Sequence, residues 1–508
     1  MNSHLRPFLF ILLIFISITA FTQENIEKAA DDTLYIINSY FYIVDGITRP
    51  YALNYKTNFY EGELITGFSV LEKFILEKTQ LLLNERVLEK AEIEYTIGEI
   101  NENGIYPVDL VIKTKDTWNI IAIPYPKYDD NTGFSITLKA RDYNFLGTMS
   151  PLRLDLGYEL DIDGYSTFSL MLDTNIPLRF FGIYWDIDFD HDLLYRAGQK
   201  EPWFYKNTTG ISAEFPFNAN SVKIGFSESL YLNEKNPDAM QLSFTGFQEG
   251  IYLSSRPYVS FYIPTGVKFY NYGEITYRPE FSAVFNHELP LWPLDEFRKG
   301  PFLYFSHSID LGRVDWIENF RKGVSININN SFDYSFYNKR NNELPLSANL
   351  EITAASHFLF SDFAGLSFRL MYRHSFLYGS YDSAGNVLRG FLDNSIKAKY
   401  MISLNLDFPV RILQVRPSNW SENNKILRIF DFDLHMIPII DFAFFNAPEI
   451  HSSFDINNLL ISGGMELIIF PQRWRSLFLR ISLGFGMQLL NPAAGVTREL
   501  FIGMELYY

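Results

Sequence analysis

Histidine is the residue best suited to proton or metal chemistry in this chain, and its eight copies stand apart. They are His4, His191, His287, His307, His357, His374, His435 and His451, with no pair at metal-ligand spacing. His307-Ser308 and His374-Ser375 put an imidazole beside a hydroxyl, which suits a strand surface or lumen better than a nucleophile and its base. No Gly-x-Ser-x-Gly elbow, phosphate loop or dinucleotide fingerprint occurs. Cysteine is absent, so disulfides and thiolate metal sites are excluded. These residues imply a chain that is not an enzyme and needs no cofactor. What remains is the chemistry of hydrogen bonds. Pro124 and Pro126, in Ile120-Ile121-Ala122-Ile123-Pro124-Tyr125-Pro126-Lys127, are two apart in a strand-like run. Amides of residues i and i+2 point to the same edge of a strand, so the pair removes two neighbouring donors from one edge only.

The elements that would position these residues are strands. Glu499 to Tyr508 alternates to the end of the chain, with Leu500, Ile502, Met504, Leu506 and Tyr508 on one face. Glu499, Phe501, Gly503, Glu505 and Tyr507 lie on the other. An apolar outer face and a partly charged inner face suit a membrane β-barrel. Leu477 to Leu489, Ala398 to Phe408 and Leu366 to Tyr372 repeat the pattern, against Arg480, Lys399, Asp407, Arg369 and Arg373. Inward charges of that kind favour a wet lumen.

Aromatic residues make up 17% of the 508, with 47 Phe and 32 Tyr, yet no internal run reaches the ~20 apolar residues of a membrane helix. From Thr117 onward, alternating segments are separated by Gly, Pro, Asn and Asp clusters. About 390 residues at roughly 22 to 25 per strand and connection predict an antiparallel barrel of about 16 strands. Such a barrel must join its first strand to its last. The donor-poor edge of Pro124 and Pro126 is therefore expected to meet Glu499–Tyr508, with Gly503 and Tyr508 on the other side of the lateral seam.

The N-terminus has a different texture. Arg6, the apolar run Phe8 to Ile18 and the small pair Thr19-Ala20 read as a signal peptide over 1–22. Thr33 to Val44 reads as a strand, and Ser69-x-x-Glu72 as a capping box. Behind it Leu71, Phe74, Ile75, Lys78 and Leu82 give a helix with one apolar stripe. Two strands follow, through Ala91–Ile97 and Val108–Thr114. Residues 24–116 thus form a small α+β module ahead of a barrel over 117–508. The formal net charge of -16 argues against nucleic acid as a partner.

Leu388-Arg389-Gly390-Phe391 precedes a strand ending in Asp407-Phe408-Pro409. It resembles the (V/L)-R-G-(F/Y) loop motif of the BamA/TamA superfamily of outer-membrane proteins (the bacterial surface antigen family). Other parts fall in that family's order. The module resembles a single polypeptide-transport-associated (POTRA) domain, and Asp142 to Gly147 a turn after the second strand. Pro438 to Ala443, with its inward Asp441, and Gly463-Gly464-Met465-Glu466 resemble late strands. Two departures stand out. Glu85-Arg86-Val87-Leu88 replaces the usual Gly-Phe before the module's second strand, and Phe501 replaces a polar residue two before Gly503.

The resemblance implies a loop folded into the lumen, with Arg389 paired to Asp441, Gly390 making the tight turn and Phe391 wedged inside. Bracing of the barrel would explain those residue types as well as contact with a client would. It also implies a location in the outer membrane with the module in the periplasm. The implied function is insertion or translocation of polypeptides, with unfolded outer-membrane or secreted chains and outer-membrane lipid as partners, besides periplasmic or lipoprotein accessory factors. A secretion or diffusion pore plugged by the loop is the alternative, followed by a barrel enzyme or a lipid transporter.

Overall fold

The computed structural model describes residues 32–503 apart from 130–132, 161–163, 218, 236–246, 270–272, 342, 378–381, 384–386, 392–396, 421–426, 447–458 and 489–494. The signal-peptide segment 1–22 and the seam residue Tyr508 lie outside the described residues.

The N-terminal domain runs β1 (Leu34–Asp45), α1 (Pro50–Thr57), β2 (Leu64–Thr66), α2 (Phe68–Asn84), β3 (Leu88–Ile97) and β4 (Ile105–Asp116). Its sheet order is β2-β1-β4-β3, with β1 and β4 parallel. Leu71, Ile75 and Leu82 on the buried stripe of α2 pack against Leu53, Phe59, Leu110 and Ile112. The capping box does not form. The helix begins earlier, at Phe68, because Gly67 (φ +91°) turns the chain out of β2 and donates its amide to Thr33 O at 2.8 Å. Ser69 therefore sits inside the first turn. The short β2, three residues long, carries no alternation that would mark it in the sequence.

Among the described residues eighteen antiparallel strands close the barrel, from Ile120–Asp129 to Val496–Gly503. Tyr400–Asp407 and Val410–Val415 count as one strand, interrupted at Phe408-Pro409. The number exceeds the expected sixteen or so because tight turns shorten the repeat. Phe181-Gly182, for example, has positive φ at both positions, the geometry of a two-residue hairpin. The wall alternates as expected. Leu479, Ile481, Leu483, Phe485 and Met487 are exposed outside, whereas Arg480 and Ser482 are buried inside. Leu477 is the exception, buried in the preceding turn rather than on the outer wall. Lys397-Ala398 also departs from expectation. It pairs with Asp382-Ser383 outside the barrel sheet, so the wall strand starts at Tyr400.

Asp116, the last residue of β4, joins the two parts. It accepts from Ile47 N (2.8 Å), Thr48 N (3.0 Å) and Thr48 Oγ1 (2.6 Å), and Asn144 Nδ2 of a barrel turn lies 3.3 Å away. Asp116→Ala leaves the amide and hydroxyl of buried Thr48 without their acceptor and frees the more exposed Ile47 amide. A loss of about 1–3 kcal/mol is expected, read as faster hydrogen exchange at Ile47 and Thr48.

Candidate functional site

Arg389 lies inside the barrel, 2% exposed, on a loop entering from the end opposite the N-terminal domain. Its Nε and Nη2 reach the two oxygens of Asp441 at 3.0 and 2.5 Å, and its backbone N donates to Asp441 Oδ2 at 3.0 Å. Asp441, fully buried, faces inward from the strand Phe432–Phe445. Nη2 also meets Asp407 Oδ1 at 2.7 Å, and Nη1 lies 3.6 Å from Glu466 Oε1. Arg480 approaches Glu466 from the other side, also at 3.6 Å. Two guanidiniums thus face three inward carboxylates. A planar fork suits this better than a lysine would, since one cation can bridge carboxylates on separate strands. In the sequence Asp407 stands among the inward charges of its strand and Glu466 within a motif, and neither is linked there to Arg389. Their inward parity, read together with Asp441, was the available signal.

Around this ion cluster the loop is held by close backbone approach. Leu388 packs among Met371, Met401, Ala443 and Leu460, and Asn405 Nδ2 holds Val387 O at 3.0 Å. Gly390 has φ +90°, and a Cβ there would lie 2.7 Å from the carbonyl carbon of Phe485. Conversely, a Cβ on Gly484 would meet Gly390 N at 2.6 Å, and one on Gly486 the Phe391 ring at 2.4 Å. The loop tip therefore lies on a glycine patch of the penultimate strand. It is tied to the last strand as well: Gly390 N donates to Glu499 Oε2 at 2.9 Å, and Thr497 Oγ1 donates to Gly390 O at 2.6 Å. Sequence reasoning missed this patch, though two small residues on one inward face are a known sign of close approach.

At the seam, Phe501 is paired with Asp129, and Tyr125 Oη donates across to Ile502 O at 3.1 Å. Gly503 sits beneath the Phe501 ring, with room for no side chain: a Cβ would lie 2.1 Å from that ring. The direction of the prolines follows from one bond. Tyr143 N donates to Asn119 O at 2.9 Å, which makes 119 and 143 a hydrogen-bonded pair. The register continues without a bulge from Ile120 opposite Asp142 to Asp129 opposite Gly133. Pairs then alternate, so Pro124 (opposite Leu138) and Pro126 (opposite Ile136) point their nitrogens away from the second strand and towards the last. Continuing the register of Phe501 places their partners beyond Gly503, outside the described residues.

The lumen below the loop is polar. A cavity of about 950 Å³ lies between α1 and the wall, lined among others by Tyr55, Tyr184, Glu214, Lys223, Arg278 and Asn329. Neither His-Ser pair builds a nucleophile and its base. His307 stacks on Phe305, and His374 on Phe376, while Ser308 and Ser375 point to the opposite strand face. On the outer wall Ser255 Oγ lies 3.0 Å from His287 Nε2, but it donates its proton to Glu228 Oε2 at 2.6 Å instead.

No protein-family model and no curated protein matches this chain. Among solved structures it is similar to CdiB from Acinetobacter baumannii, with TM-score 0.46 and 11% identity over 93% of this chain and 74% of that one. BamA from Haemophilus ducreyi lacking POTRA domains 1–3 gives TM-score 0.39 and 12% identity, over 92% and 84%. CdiB from Escherichia coli gives 0.39 and 9%, over 95% and 92%. Likenesses of this size carry no weight as to function.

Proposed function

We propose that this chain is an outer-membrane β-barrel that inserts or translocates polypeptides, without enzymatic chemistry or a cofactor. Its N-terminal domain, over 24–116, faces the periplasm, and residues 117–508 form the barrel. The apolar outer wall and charged inner wall suit lipid outside and water within. The observation that carries the reading further is the pairing of an anchored inward loop with a donor-poor seam. At the edge of Pro124 and Pro126 two ladder bonds cannot form, each worth about 0.5–1.5 kcal/mol. The seam is therefore the cheapest place in the wall to part, and a client strand can replace the last strand there at little cost. The clients are unfolded outer-membrane or secreted polypeptides. In the domain, β3 is a free edge of the sheet that can pair with an extended client before it reaches the seam. Lipid is the second partner once the seam opens, and periplasmic or lipoprotein factors are candidate accessories.

The second reading is a pore, favoured by the polar cavity alone. Cysteines placed at the paired positions 129 and 501 separate the two. Oxidative cross-linking is expected to abolish client insertion while leaving ion conductance through the lumen unchanged. Insertion that continues at the full rate with the seam locked would remove the lateral route.

A further inference from the structure

Arg86 is contributed by the N-terminal domain, is 9% exposed, and has its whole environment built by the barrel. Its Nε donates to Arg475 O, its Nη1 to Glu318 O at 3.3 Å, and its Nη2 to Asn319 Oδ1 at 3.0 Å. The guanidinium carbon lies 4.5 Å from the Trp316 ring centroid, 5.0 Å from Phe478 and 6.0 Å from Phe470. The charges that face it are Arg475 and Arg321, both cationic; with burial, the largest cause, they push its pKa below the ordinary arginine value. A lone buried cation is costly, and a guanidinium is the cation that tolerates this cage. Its flat faces stack on rings while its edge supplies donors to three acceptors. The compact ammonium of lysine could not fill both roles.

The cage rests on two barrel turns. Phe302–Ile317 and Phe320–Ser335 form a hairpin whose tip reaches the later strands: Asn319 Nδ2 donates to Asp433 Oδ2 at 2.7 Å, and Glu318 pairs with Arg411 at 2.6 Å. Trp316 stacks on Phe478 of the turn before the penultimate strand. From that turn Arg475 returns a hand, donating to Leu88 O at 3.1 Å. The domain is tied elsewhere on the rim by Arg49 N to Gly147 O (2.8 Å) and Tyr51 Oη to Pro177 O (2.9 Å). It therefore spans the barrel opening, with α1 beneath the lumenal cavity.

We propose that the Arg86 cage is a guanidinium receptor that latches the N-terminal domain across the barrel opening and closes the lumen on that side. Releasing the latch lets the domain swing clear and leaves a rim site of three rings and three acceptors, which an arginine of a passing polypeptide can occupy. The latch rests on the membrane-barrel part of the proposed function and not on client insertion.

The test is conductance of the full chain in planar bilayers, with barrel incorporation scored separately by heat-modifiable mobility. Arg86→Ala is expected to raise the open probability about tenfold, the scale of one charged hydrogen bond lost. Free guanidinium fills the cage without tethering the domain, so at high millimolar concentration it should open the wild-type channel by competing with Arg86, whereas methylammonium should not. Arg86→Lys should stay largely open. Open probability unchanged in Arg86→Ala would overturn the latch. So would a wild-type channel that guanidinium opens no more than methylammonium does, a readout that does not depend on how the variant folds.

Discussion

Arg389→Ala is expected to cost about 3–5 kcal/mol of barrel stability, the range for removing one partner of a buried ion pair. Asp441 and Asp407 lose their guanidinium, and Glu466 keeps Arg480 at 3.6 Å and the Ser482 hydroxyl at 3.2 Å. Asp441 and Glu466 are buried, so the charge left on them lies away from water. Urea unfolding of the folded barrel in detergent, followed by heat-modifiable mobility, reads the loss. Loop release should appear in parallel as chymotrypsin cleavage after Phe391. Arg389→Lys keeps the charge and loses the fork, so it should fall between wild type and alanine. Combining Arg389→Ala with Asp441→Asn should cost less than the sum of the two, since the second change removes a charge stranded by the first. A shift under about 0.5 kcal/mol in Arg389→Ala, the scale of an ordinary surface change, would contradict the ion cluster as the anchor of the loop.

Gly484→Ala should be nearly as severe, although it adds one methyl group. Its Cβ would lie 2.6 Å from Gly390 N and 2.9 Å from the Arg389 carbonyl carbon, and both are backbone atoms. No rotamer change relieves such a contact, so the loop tip must lift away from the penultimate strand. The bonds from Gly390 to Glu499 and Thr497 should break with it. A loss of about 3 kcal/mol is expected, the upper end for overpacking a tight interior. Gly463→Ala is the control on the neighbouring strand, where a new Cβ would meet Ile439 O at 3.7 Å, ordinary van der Waals contact. That variant should unfold within about 0.5 kcal/mol of wild type. Similar behaviour of the two alanines would mean that the glycine patch does not seat the loop.

Both changes bear on function through the same tie. The loop tip is bonded to the last strand, one side of the seam, as well as to the wall strands that carry Asp407 and Asp441. Opening the seam therefore either carries the tip along or breaks the bonds of Gly390 to Thr497 and Glu499. Loop position and seam state are coupled by geometry alone.

Much of this architecture is legible in the sequence because a barrel wall obeys a period of two. Leu479 to Met487 and Arg480 to Ser482 sort to opposite faces as their alternation predicts. The inward carboxylate at 441 is singled out by the resemblance of Pro438 to Ala443 to a family strand, and it meets the need of a buried arginine for a partner. Other features depend on distances that the sequence does not encode. Asp407 and Glu466 join the cluster because the wall curves three strands around one guanidinium. The helix start moved to Gly67 because a short strand pairing with β1 fixed the chain direction before Ser69 could cap. The strand count exceeded its estimate because some turns need only two residues. Arg86 was visible as a departure from a family pattern, but its cage is drawn from Trp316, Glu318, Asn319, Phe470, Arg475 and Phe478. Those rings, read in sequence, look like ordinary barrel aromatics.

The central claim is that the seam handles client polypeptides. Its most direct test is the folding rate of an unfolded outer-membrane barrel into liposomes, with and without this protein reconstituted. A clear acceleration that disappears when positions 129 and 501 are cross-linked is the predicted result. An unaltered folding rate, with steady ion conductance in the same bilayers, would contradict it and leave a pore.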